Sequence, residues 1–162
     1  NHRYTPPAEK NILLLIPCSK RKPYGESRTH RVVLERLSDR RDNIHKVTIS
    51  GMYGPVPEEH ETDDAVMEYE YVLSGQDTEQ IELVRDRLIS YLQEYGESYE
   101  QIVGYAASST YRSVIQDALN AYGRGEIFPR EPEALRLTEH FRKENIKELM
   151  QHLDISTEDM GL

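Results

Sequence analysis

The sequence predicts an α/β domain in three layers, a Rossmann-like, mostly parallel sheet with helices on both faces. Three observations lead there. Asn11 to Ile16 is an apolar run without alternation, the pattern of a strand covered on both sides in a parallel sheet. Strands and amphipathic helices then alternate along the chain, which requires crossover connections between parallel strands. The length, 162 residues, suits one domain with a single core. The expected organisation is an N-terminal extension over 1–10, a core over 11–153 and a frayed tail over 154–162.

Pro17 ends the first strand, and Ser27 is placed to cap a helix in which His30, Val33, Leu34 and Leu37 share a face. Ile44 to Ser50 reads as a second strand, with Val47 and Ile49 among polar neighbours. Gly51 to Pro57 carries two glycines and two prolines and reads as an irregular, shaped loop, followed by an acidic turn from Glu58 to Asp64. Tyr69 to Leu73 is a short strand candidate. Asp77 to Tyr95 is the clearest helix, with Ile81, Val84, Leu88, Leu92 and Tyr95 in one stripe and Asp77 and Gln80 spaced as a capping box. Gln101 to Ala106 is a third core strand, and Ala107 to Thr110 leads into a helix from Tyr111 to about Ala121. Gly123 to Pro132 reads as an irregular link and Thr138 to Leu153 as a last amphipathic helix.

Composition narrows the function. One cysteine allows no internal disulfide, and no apolar stretch approaches the ~18 residues of a membrane span, so a soluble, cytoplasmic protein without membrane partners is expected. Residues 1–10 lack the apolar segment of a signal peptide. The balance of 29 acidic against 20 basic residues opposes indiscriminate nucleic-acid binding, and only six of the bases are lysines, as a salt-rich cytoplasm favours. Residues 19–31 are the exception: Lys20, Arg21, Lys22, Arg28 and Arg31 face the single acid Glu26.

That basic stretch follows the only thiol. Cys18 has two readings, an inert filler at a strand end and a nucleophile whose thiolate form is favoured by neighbouring cations and a helix N-terminus. Lys20, Arg21 and Lys22 are a solvated run or, held between Pro17 and Pro23, an anion site. His30 is a core histidine or a proton carrier. Tyr24 packs on the helix or stacks on a planar ligand. Glu58, Glu59 and Glu61 form a solvated turn or hold an amine, and Glu70 is an outward strand residue or a catalyst. Ser108 belongs first to a helix cap and second to a phosphate contact. No phosphate-binding, dinucleotide or zinc motif is present, and no cofactor or metal is expected.

Pro17, Cys18, Lys22, Pro23, Tyr24, Ser27 and His30 match the PCxxxKPYxxSxxH signature, and by it the chain resembles archaeosine synthase, the paralogue of archaeal tRNA-guanine transglycosylase. The resemblance continues through Gly54, Val56, Pro57, Glu59 and Glu61 and through Tyr69 to Gly75, spanning roughly residues 11 to 120. It implies an enzyme that transfers lysine to the nitrile of 7-cyano-7-deazaguanine in tRNA. It also implies flanking transglycosylase-like and PUA domains, beside which this chain resembles the isolated core domain. Cys18 is then the nucleophile forming a thioimidate, with Lys22 favouring the thiolate or steadying the developing negative nitrogen, His30 moving the proton and Ser27 orienting one of them. Pro17, Ser19, Lys20, Arg21, Pro23, Tyr24, Gly54, Pro57, Tyr69 and Ser108 form the expected substrate surface, and Glu59, Glu61 or Glu70 receives the lysine amine. Two alternatives stand beside this: a non-catalytic tRNA-binding module, with the bases on phosphates, and nucleobase exchange, in which Glu59 or Glu70 outweighs the thiol. Self-association is left open.

Overall fold

The structure is a computed structural model describing residues 6–18, 28–63, 66–67, 73–106, 109–130 and 143–155. Five strands form one sheet: β1 (Ile12–Pro17), β2 (Ile44–Ser50), β3 (Gly54–Pro57), β4 (Gln101–Tyr105) and β5 (Glu126–Phe128), in the order β3-β2-β1-β4-β5. β1 pairs in parallel with β2 and β4, β4 pairs in parallel with β5, and β3 pairs antiparallel with β2. The main α-helices among the described residues are α1 (Arg28–Arg36), α2 (Thr78–Tyr95), α3 (Ser109–Tyr122) and α4 (Lys143–His152). The mixed, mostly parallel three-layer fold expected from the sequence is the fold observed.

β1 is central because its unbroken apolar run can be covered twice. Leu13 and Leu15 point into the layer of α2 and α3, with Val84, Leu88, Val114 and Ile115. Ile12, Leu14 and Ile16 point into the layer of α1 and α4, with Val33, Leu37, Ile146 and Leu149. Each such side chain, moved from water to the core, contributes about 1.5–3 kcal/mol.

The chain leaves β1 for α1 on one face and leaves neighbouring β4 for α3 on the other. The carboxyl ends of β1 and β4 therefore flank a topological switch point, where the diverging loops open a crevice in such sheets.

Four local expectations need correction. Gly51 to Pro57 is not wholly irregular: Gly54 to Pro57 is an edge strand hydrogen-bonded to β2, a position that tolerates proline because the outer N–H groups have no partner to serve. The link after Gly123 contains β5, only three residues long. The Asp77 side chain makes no cap hydrogen bond, and Gln80 instead donates to the Gly51 carbonyl at 2.7 Å, tying the start of α2 to the turn before β3. Ile155, expected in a frayed tail, is buried in the α1/α4 layer, and its N–H donates to Met150 at 2.8 Å. The expected strand over Tyr69 to Leu73 falls almost entirely outside the described residues.

Candidate active site

Cys18 lies at the switch point. It follows β1 directly, and its N–H donates to the Ile49 carbonyl at 3.0 Å, extending the ladder with β2 by one residue. The thiol is half-buried, packed against the α2/α3 layer on one side and against the Val56/Val66 cluster on the other. Sγ sits 3.2 Å from the Tyr111 hydroxyl, contributed by the first turns of α3 across the switch point. The Leu73 N–H donates to the same hydroxyl at 2.9 Å, so the tyrosine oxygen serves as acceptor there, while in its contact with the sulfur either the hydroxyl or the thiol can donate.

His30 is fully buried. Its Nε2 lies 3.0 Å from the Pro17 carbonyl and its Nδ1 lies 2.9 Å from Lys46 Nζ. Lys46 is 1% exposed, in the middle of β2. Burial pulls its pKa below the usual lysine value, an effect opposed by the Glu61 carboxylate 2.5 Å from Nζ. Pro17, His30 and Glu61, all singled out in the sequence, are thus linked in one chain through Lys46, a lysine the sequence did not flag, and Cys18 follows Pro17 directly. The one available signal was polar side chains at alternate positions of β2, Lys46, Thr48 and Ser50, on the face that Ile44 begins. Lys46 and Ser50 find partners there, while the buried Thr48 hydroxyl has no hydrogen-bond partner among the described residues.

Glu59 belongs elsewhere. Its Oε1 accepts from His45 Nε2 at 2.7 Å, His45 Nδ1 faces the Tyr99 hydroxyl at 2.7 Å, and Tyr99 meets the Tyr91 hydroxyl at 2.8 Å. Burial raises the Tyr99 pKa far above the usual phenol value, so that hydroxyl keeps its proton. His45 lies four residues before Ile49 on β2, on the order of 13 Å from the Cys18 end at about 3.3 Å per residue. Pro57 pairs with Val47, at the midpoint of the strand. A groove of about 310 Å³ lies between the edge strand and α2, with Tyr53, Pro55, Pro57, Tyr91 and Tyr95 in its lining.

Gly54 has φ +80 and stands against Arg87 and Val84 of α2, so its place is explained by backbone geometry and close packing. Glu58, expected in a solvated turn, accepts from Arg41, Lys10 and the Lys46 N–H. Arg112, also unforeseen, is buried and donates to the Ala106 and Pro129 carbonyls, tying α3 to the residues that follow β4 and β5. Ser19, Lys20, Arg21, Lys22, Pro23, Tyr24, Ser27, Tyr69, Glu70 and Ser108 lie outside the described residues. Among the described residues no group of three His, Cys, Asp or Glu side chains is gathered to hold a metal ion. No helix among them is long and apolar enough to cross a membrane.

Residues 1–153 match a protein family described as "Domain of unknown function (DUF5591)". The chain belongs to this family. It is 31% identical to the archaeosine synthase subunit alpha of Thermococcus kodakarensis, with 70% of the chain and 22% of that protein covered. It is 32% identical to the subunit of the same name from Methanosarcina acetivorans, covering 78% and 20%. It is 28% identical to the archaeosine synthase of Methanocaldococcus jannaschii, covering 90% and 25%. The chain spans about a fifth to a quarter of the length of these relatives. Its fold is similar to that in the crystal structure of AF0587, a protein of unknown function, with TM-score 0.65 and 22% identity over 91% of this chain and 46% of that one.

Proposed function

We propose that this domain carries the reacting thiol of a tRNA-modifying transferase in archaeosine formation, adding lysine to the nitrile of a 7-cyano-7-deazaguanine already in tRNA. The observation that carries this reading is the half-buried Cys18 at the switch point, 3.2 Å from a tyrosine hydroxyl, within a stretch shared with archaeosine synthases. Similarity to proteins of that name supplies the substrate class.

In this reaction the Cys18 thiolate adds to the nitrile carbon, a C–S bond forms, and the nitrogen takes a proton, giving a thioimidate. An amine of lysine then attacks the same carbon and loses a proton, the C–S bond breaks, and the thiolate leaves an amidine behind. Lys22 is the cation best placed in sequence to steady the negative nitrogen, and Ser27 is assigned to orient it. Tyr111 joins them as the hydroxyl that supports the sulfur. His30, with one nitrogen on Pro17 and the other on Lys46, holds the loop, a role that replaces proton transfer in our assignment. Glu61 is engaged with Lys46 and Glu59 with His45, which leaves Glu70 as the carboxylate for the lysine amine. Ser19, Lys20, Arg21, Pro23, Tyr24 and Ser108 contribute the tRNA and base contacts, together with transglycosylase-like and PUA domains supplied separately.

The test is to incubate cyano-modified tRNA and labelled lysine with the chain plus those domains, and to search for a Cys18 adduct by mass spectrometry. Lysine incorporation that depends on Cys18 supports the proposal. Incorporation at a normal rate by Cys18→Ala overturns covalent catalysis. Salt-sensitive tRNA binding that ignores alkylation of Cys18 would replace the enzyme with a binding module.

A further inference from the structure

A lysine inside a central strand must find acceptors for its protons within the protein. Lys46 Nζ has two such neighbours, Glu61 Oε2 at 2.5 Å and His30 Nδ1 at 2.9 Å. The other His30 nitrogen faces the Pro17 carbonyl at 3.0 Å. A carbonyl oxygen only accepts, so Nε2 carries the hydrogen. Nδ1 of the neutral ring is then a bare acceptor, and Lys46 donates to it. An imidazolium would turn a second N–H against the lysine, so the arrangement selects one tautomer of a neutral ring.

The carbonyl so held belongs to the peptide joining Pro17 to Cys18. The N–H of that same planar unit donates to the Ile49 carbonyl at 3.0 Å. The unit is therefore clamped on both edges, by β2 backbone on one side and by His30 on the other. Its orientation sets the direction in which the Cys18 side chain leaves the backbone.

We propose that Lys46 is a positioning residue for the thiol: by fixing the Nε2–H tautomer of His30 it locks the Pro17–Cys18 peptide and keeps Sγ against the Tyr111 hydroxyl. It acts through His30. The inference rests on the reading of Cys18 as the reacting group, but its test needs neither lysine nor tRNA, so a failed transfer assay and a failed clamp give different results.

The experiment uses the ¹⁵N-labelled chain. Long-range ¹⁵N–¹H spectra of the wild type are expected to show His30 as the Nε2–H tautomer at neutral pH. In the paired variant Lys46→Met with Glu61→Gln, which leaves no buried charge unmatched, the tautomers should mix, and iodoacetamide should alkylate Cys18 at least about tenfold more slowly, because its approach to the sulfur is misaligned. Lys46→Arg keeps a donor and should restore both readings toward wild type. A wild-type ring protonated on Nδ1 overturns the proposal whether or not the variants fold. So does a variant whose tautomer shifts while the alkylation rate stays the same.

Discussion

The Tyr111 hydroxyl stands 3.2 Å from Cys18 Sγ and accepts the Leu73 N–H at 2.9 Å, so one oxygen joins the end of β1, the start of α3 and the segment before α2. Tyr111→Phe keeps the ring and deletes that junction. The buried Leu73 N–H is left without this acceptor, at a cost of about 1 to 3 kcal/mol in urea denaturation. With the hydroxyl gone from the sulfur, alkylation of Cys18 at fixed pH should slow. A variant that loses stability yet alkylates at the wild-type rate would show that Tyr111 serves only the fold.

Glu58 gives the fold an acid-sensitive joint. Burial alone would raise its pKa, but the Arg41 hydrogen bond, the Lys46 N–H and Lys10 outweigh that and hold it below 4.5. The unfolded chain therefore takes up the proton first as pH falls, and the stability from these bonds, complete above about pH 4.5, is lost as pH drops through the folded value. Glu58→Gln should cost about 1 to 3 kcal/mol at pH 7. The gap between wild type and variant should shrink in denaturation curves taken at successively lower pH. A gap that widens on acidification contradicts the assignment.

Gly54 stands within the stretch shared with archaeosine synthases, and the structure gives it a backbone reason. A Cβ added there would meet Arg87 Cβ at 3.0 Å, on a residue with φ +80. Gly54→Ala is expected to lower stability by about 1 to 2 kcal/mol. Alkylation of Cys18 in the folded variant should stay at the wild-type rate, because the strain falls on the hairpin between β2 and β3. A slowed alkylation would move Gly54 into the working site.

The parts of the fold legible in the sequence are those with a long period. β1 announced itself by apolar residues on both faces and α2 by a stripe that returns every three or four residues, with Val84, Leu88 and Leu92 buried as expected. β3 and β5 did not, since prolines on an edge strand look like punctuation and three residues from Glu126 to Phe128 are too few to show alternation. At the site, local sequence pointed to Cys18 and His30, but Lys46 and Tyr111 come from elements far along the chain. Their place depends on strand order, which no local pattern encodes.

Glu59 tests which carboxylate meets the incoming amine. Its side chain is 36% exposed, enough to tempt a ligand, yet Oε1 already accepts from His45 Nε2, whose ring is held in turn by Tyr99 and Tyr91. Glu59→Gln retains an oxygen acceptor for His45 and removes only the charge. If Glu59 is scaffold, stability should stay within about 0.5 kcal/mol of wild type, as for a mild surface change. The KM for lysine in the assembled transferase should also be unchanged, whereas Glu70→Gln should raise it. Tyr99→Phe, by contrast, leaves both His45 Nδ1 and the Tyr91 hydroxyl without their shared partner and should cost about 1 to 3 kcal/mol. A raised KM in Glu59→Gln with stability intact would return Glu59 to the substrate, and the distance between the two ends of β2 would then have to be bridged by the tRNA itself.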